Sequence, residues 1–123
     1  QFSAYRPFSD LAIDGRKTLS ENLADLGGLA AAFDAYRQSL GARASDSTLV
    51  RRLDREFFIG FARSWRSRIA PEAIRKQVAS NDTHAPEGYR IATVRNLDAW
   101  YAAFDVQPGH RLYLPPGKRV QVW

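Results

Sequence analysis

Apolar positions recur with a helical period over most of the chain. Leu19, Leu23, Leu26, Ala30, Phe33 and Leu40 fall at spacings of three, four or seven, which predicts one long helix over residues 19–40 with a single apolar stripe. Thr18 or Ser20 can cap its start, and Gly41 stands where a left-handed residue ends a helix. Asp46 or Ser47 can cap a second helix running to Ile69, whose stripe (Leu53, Phe57, Phe58, Phe61 and Trp65) is mostly aromatic and reads as core. Ala70-Pro71 breaks it, because the residue before proline is pushed out of the helical region, and Pro71 then opens a third helix through Val78. Beyond Asn81-Asp82 the period fades. Residues 83–86 read as loop, 89–92 as a short extended piece, and 97–104 as a last helix capped by Asn96. The tail, with Pro108-Gly109, Pro115-Pro116-Gly117 and the alternating Val120 and Val122, reads as loop with one brief strand. Pro7 and Asp14-Gly15 mark turns in an irregular lead-in. The expected class is mainly α with an irregular C-terminal third, and residues 1–123 read as one unit.

Composition narrows the function classes. The 123 residues are 45% apolar and 25% charged, ordinary values for a globular domain. No apolar run approaches the roughly 20 residues that span a bilayer, so no membrane-crossing helix is predicted. With no cysteine, disulfides and thiolate metal sites are excluded, and the compartment stays open. The formal charge is +5, and all but three of the 18 basic residues (Lys17, Lys76 and Lys118) are arginine. These are scattered and interleaved with acids, as in Arg51-Arg52-Leu53-Asp54-Arg55-Glu56, which reads as a solvated helix face rather than a nucleic-acid groove. A chain without methionine or a signal segment is expected to be a piece of something longer.

One constellation carries chemistry. Glu21 and Asp25 lie four residues apart, so on a helix they share a face, and Gly28 and Ala32 continue their row opposite the leucine stripe. Gly27 and Gly28 each cost about 1 kcal/mol in a helix interior, so the close approach of another helix is expected to compensate. Both faces would then be covered, and half-buried carboxylates need cations or donors. The spacing alone also fits acids that merely complement the positive helix N-terminus.

The wider sequence bears on that choice. The run Thr18-Leu19-Ser20-Glu21-Asn22-Leu23-Ala24-Asp25-Leu26-Gly27-Gly28-Leu29 resembles the Glu-Asn-Ile-Ala-Asp-x-Gly-Gly signature of the neprilysin and endothelin-converting-enzyme family. Four further segments are similar in order: Gln1-Phe2 with Asp14-Gly15-Arg16-Lys17-Thr18, Phe57-Phe58 through Trp65, Asp82-Thr83-His84-Ala85-Pro86 with Tyr89-Arg90, and the end from Tyr113 to Trp123. The resemblance implies a helical C-terminal part of a zincin-like metallopeptidase catalytic domain. It implies that Glu21 is a zinc ligand, completing a site whose other two ligands and catalytic glutamate come from a His-Glu-x-x-His helix. Two imidazoles, one carboxylate and an open fourth position are the donor set of a catalytic zinc. Asp25 would accept the second ring N–H of a ligating histidine. His84 would donate to the oxyanion of the tetrahedral intermediate, and Arg90 would hydrogen-bond a substrate carbonyl. Alone, an isolated His84 also reads as a loop histidine and Arg90 as a structural ion pair. His110 has no assigned role.

Two departures matter. The chain has no His-Glu-x-x-His and only two histidines, so by itself it is expected to bind zinc weakly and hydrolyse nothing. It also has no cysteine where animal members carry them, with Val106 and Val120 at those positions, which points to a bacterial-type member. The expected partners are an oligopeptide substrate, the upstream half of the same catalytic domain, and further copies of the chain through apolar surface left uncovered. A non-catalytic helical interaction module that kept the scaffold is the alternative.

Overall fold

The computed structural model describes residues 1–122; Trp123, matched above to the family's terminus, lies outside the described residues. Five α-helices follow in order: α1 (Leu19–Ser39), α2 (Ser47–Ser64), α3 (Pro71–Ala79), α4 (Glu87–Ile91) and α5 (Asp98–Phe104). Short 3₁₀ turns cover Phe2–Ala4, Gly41–Ser45, Ala92–Asn96 and Pro116–Lys118. The mainly helical class is as expected, and no described helix is long and apolar enough to cross a membrane.

Local chemistry explains the boundaries. The Asp14 carboxylate accepts the amides of Arg16 and Lys17, closing a turn before α1. Thr18 does not cap with its side chain. Its buried hydroxyl donates to the Asp14 carbonyl and accepts from the Asn22 amide at 2.9 Å. Gly41 takes the expected left-handed conformation, with φ +52°. Asp46 caps α2 by accepting the amides of Thr48 and Leu49.

The structure corrects four of the sequence expectations. First, α2 ends at Ser64, not Ile69. Residues 66–68 are exposed, so no apolar face holds another turn in place, and Ala70 is already extended before Pro71. Second, residues 89–92 are helical rather than extended. The Pro86 carbonyl accepts the amides of Tyr89 and Arg90, which starts α4 directly after the proline. Third, Asn96 caps nothing: its amide donates to the Thr93 carbonyl and its oxygen accepts the Val120 amide at 2.9 Å. Fourth, the tail forms no strand among the described residues, where the only bridge pairs Phe8 with Leu11. Side chains hold the tail instead. Arg95 donates to the carbonyls of Leu112 and Tyr113, and the Tyr101 hydroxyl accepts the Leu114 amide while donating to the Arg95 carbonyl.

Two apolar clusters flank α1. The first gathers Phe2, Tyr5, Ile13, Ala85 and Ala92, with Leu23 of α1 packed against it. The second gathers Leu29 and Phe33 of α1, Phe58 of α2, Val94 and Ala103. Phe33 and Phe58 stack with ring centroids 5.1 Å apart. Around this second cluster, Arg37 of α1 pairs with the buried Asp54 of α2 at 2.6 Å, and Arg55 of α2 donates to the Ala103 carbonyl near the end of α5.

The other side of α1 is bare. Ala24, Gly28, Ala31 and Ala32 are exposed, and a Cβ added at Gly28 would meet no atom within 4 Å. Among the described residues, nothing makes the close helix crossing expected at Gly28. At Gly15 the situation is reversed, since an added Cβ would lie 2.3 Å from the Ser3 nitrogen and 2.8 Å from the Phe2 carbonyl carbon. Gly15→Ala is expected to cost about 1–3 kcal/mol, read by urea denaturation, because backbone cannot yield as a flexible side chain can. Gly60→Ala, in open space on α2, is the control and should be neutral or gain up to about 1 kcal/mol.

Candidate active site

The first turns of α1 present Glu21 and Asp25 on one side of the helix. Across from them run the loop between α3 and α4, which carries Asp82 and His84, and α4 itself, which carries Arg90. Several contacts place that loop. Lys17, just before α1, donates to the Ser80 carbonyl at 2.7 Å, satisfying the C-terminal end of α3. Ala85 is buried in the first cluster, so the chain next to His84 is anchored to the same core as the α1 lead-in. Pro86 is buried beside it and fixes where α4 begins.

Two polar pairs result. The His84 amide donates to Asp82 Oδ1 at 2.9 Å, and the His84 Nδ1 lies 2.8 Å from the same oxygen. Both ring nitrogens thus face a carboxylate, Nδ1 that of Asp82 and Nε2 that of Glu21, whose Oε2 lies 3.1 Å away. The His84 amide, and after it the ring, hold the Asp82 carboxyl below its ordinary range. These three side chains are each more than a third exposed, so a reactant can reach them.

The second pair is drier. Arg90 grips Asp25 with two parallel bonds, Nε to Oδ2 at 2.7 Å and Nη2 to Oδ1 at 2.6 Å, and the side chains are only 17% and 11% exposed. Those bonds raise the Arg90 guanidinium above its ordinary value. The same guanidinium lies 4.1 Å from the centroid of the Trp65 ring, a cation–π contact with the end of α2. Trp65, expected in the core, is thus a half-buried platform under Arg90.

The structure therefore brings His84 to Glu21 and Arg90 to Asp25, the second pair 65 residues apart in sequence. It adds Asp82 and Trp65, for which the sequence reading had assigned no site role; an Asp two residues before a histidine is the local turn signal that could have singled out the first. His110 is elsewhere, in an exposed turn where its Nδ1 accepts the Gln107 amide. Glu21 suits one position of a zinc site, being a reachable carboxylate that no arginine or lysine grips. The rest of the donor set does not follow, for among the described residues no three His, Asp or Glu side chains are arranged to hold a metal.

Comparison with known proteins bears on what this arrangement belongs to. The family model described as peptidase family M13 matches residues 1–120. The chain is 37% identical over 112 residues to a neutral endopeptidase of Lactobacillus helveticus, covering 90% of this chain and 16% of that protein. It is 33% identical over 128 residues to neprilysin-3 of Drosophila melanogaster, covering 100% and 16%. It is 37% identical over 115 residues to endothelin-converting enzyme 1 of Homo sapiens, covering 90% and 14%. The chain thus spans only about a sixth of the length of the curated relatives it matches. No solved structure matches it.

Because both partners are largely buried, removing one leaves a charge without its counter-ion. Arg90→Ala is expected to lower stability by about 3–5 kcal/mol in chemical denaturation, with Arg90→Lys recovering only part because an ammonium cannot make the two-point bond.

Proposed function

Because this chain belongs to peptidase family M13, we propose that it is the part of a zinc metalloendopeptidase catalytic domain that supplies one metal-ligating carboxylate and the groups that hold substrate and transition state. The observation that carries this reading is the convergence of Glu21, Asp25, His84 and Arg90 on one side of α1.

Glu21 is the ligand, and two histidines of preceding polypeptide complete the set. Zinc, when bound, supplies the Lewis acidity that lowers the pKa of a water and polarises the scissile carbonyl. His84, with Nδ1 fixed on Asp82, turns Nε2 toward the charge that develops on the carbonyl oxygen. Arg90, with Nε and Nη2 fixed on Asp25, keeps Nη1 for a substrate carbonyl, since that nitrogen makes no hydrogen bond among the described residues. Asp25 retains lone pairs beyond the two Arg90 occupies and can orient a ligating imidazole. The bare strip of Ala24, Gly28, Ala31 and Ala32 leads away from these carboxylates and is where the preceding helix would cross closely. Substrates of the complete protein are oligopeptides.

One observation favours a second reading, a non-catalytic module that keeps the scaffold. Glu21 with His84 and Asp25 with Arg90 satisfy one another within the chain, as a purely structural cluster would.

Two measurements separate these. Calorimetric titration of the chain with zinc should show no tight one-to-one site; finding one would overturn the assignment of Glu21 as one ligand among three. In a longer protein that carries a preceding His-Glu-x-x-His, Glu21→Ala should abolish peptide hydrolysis and zinc retention together, and Asp82→Asn should lower activity about 10–100-fold. Full activity in Glu21→Ala would sink the enzyme reading. The bare face of α1 also predicts self-association of the chain alone. Light scattering showing only monomer at high concentration counts against that.

A further inference from the structure

Away from the carboxylate face, the N-terminal segment, α4 and the C-terminal loop enclose a groove of about 460 Å³ lined by Arg6, Arg95 and Arg111 together with Tyr5 and Tyr89. No Asp or Glu lines it. The three guanidiniums are held differently. Arg95 is fixed, its Nε and Nη2 donating to the carbonyls of Leu112 and Tyr113 at 3.1 Å each. Arg6 and Arg111 are exposed and make no hydrogen bond or ion pair with any described residue. This sets them apart from the arginines of α2, where Arg51 and Arg55 donate to the Ala103 carbonyl and Arg52 pairs with Glu56.

A second, independent feature sits in the same wall. Tyr5 is only 7% exposed, and its enclosed hydroxyl lies beside the side chains of Arg95 and Gln1. Burial raises its phenol above the ordinary value, against the pull of the neighbouring Arg95. The Tyr89 ring lies 4.9 Å from the Tyr5 ring and so stiffens this side of the groove. Three cations around one cavity repel one another. One kind of ligand relieves this: a compact group rich in acceptor oxygens, which guanidinium forks bind in two-point geometry.

We propose that this groove is a binding site for a small oxyanion, a phosphate or a carboxylate, held by Arg6, Arg95 and Arg111. The site is separate from the Glu21–His84 and Asp25–Arg90 pairs, since it uses none of those side chains. Its volume falls within the range of small-molecule pockets, and its one-sign lining selects a multivalent anion over a neutral compound.

The test is calorimetric or NMR titration of the chain with inorganic phosphate and, separately, with citrate, at constant ionic strength set by chloride. Saturable binding of either anion is expected, and the tighter of the two identifies the source of the oxygens. Arg6→Ala and Arg111→Ala lie on the surface and should keep the fold, checked by circular dichroism, while each weakens binding tenfold or more. Arg111→Lys should fall between wild type and Arg111→Ala, since it keeps the charge and loses the fork. Failure of both anions to saturate below about 10 mM overturns the proposal. So does binding that is unchanged in Arg6→Ala and Arg111→Ala.

Discussion

The two-point bond between the Arg90 fork and the Asp25 carboxylate, lying on the Trp65 ring, is the contact on which the arrangement of this chain turns. It joins α4 to α1 and, through the ring, to the end of α2. Of these helices, α1 reaches both apolar clusters, while α4 packs on the one built on Phe2, Tyr5 and Ile13 and α2 on the one built on Phe33 and Phe58. Hydrophobic burial is non-directional and tolerates small rotations of one cluster against the other. A planar fork with both bonds at 2.6–2.7 Å does not, so it fixes the angle of α4 against α1 beyond what packing alone sets.

The same bond has a functional cost and use. A carboxylate with little solvent at the start of a helix would be unfavourable without a counter-charge. Arg90 supplies it, and in return its own guanidinium is held in place at low conformational entropy. Asp82 does for His84 what Asp25 does for Arg90: each acid fixes one side of the group, leaving His84 Nε2 against Glu21 and Arg90 Nη1 without a hydrogen bond among the described residues. Preorganised donors of this kind are what a developing negative charge requires, because nothing has to reorient during reaction.

Much of this was legible in the residues alone. Helical periodicity located α1, α2 and α3 because each has an apolar face, and Asp46, Pro71 and Gly41 act through local backbone chemistry that depends on no distant partner. The Glu21–Asp25 spacing is likewise a local fact once a helix is assumed. The family signature added His84 and Arg90 as candidates, although it could not say that they would meet the two acids in pairs.

What only the tertiary structure decided lies where one residue's fate depends on a distant one. Residues 89–92 form too short a stretch to fix their class, and they became helix because Pro86 starts a turn there and the first apolar cluster takes in Tyr89 and Ala92. Asn96 has the right side chain for a cap and instead holds Val120, 24 residues on, since a buried amide takes whichever backbone partners packing brings near. Trp65 continues an aromatic core stripe in the sequence but serves as a floor for Arg90 in the fold. Sequence by itself determined the elements whose energy is local: caps, turns, helix faces and the identity of the charged groups. Tertiary packing alone decided which charges pair, because an ion pair between positions 65 apart exists only after burial has removed the water that would otherwise solvate each partner separately.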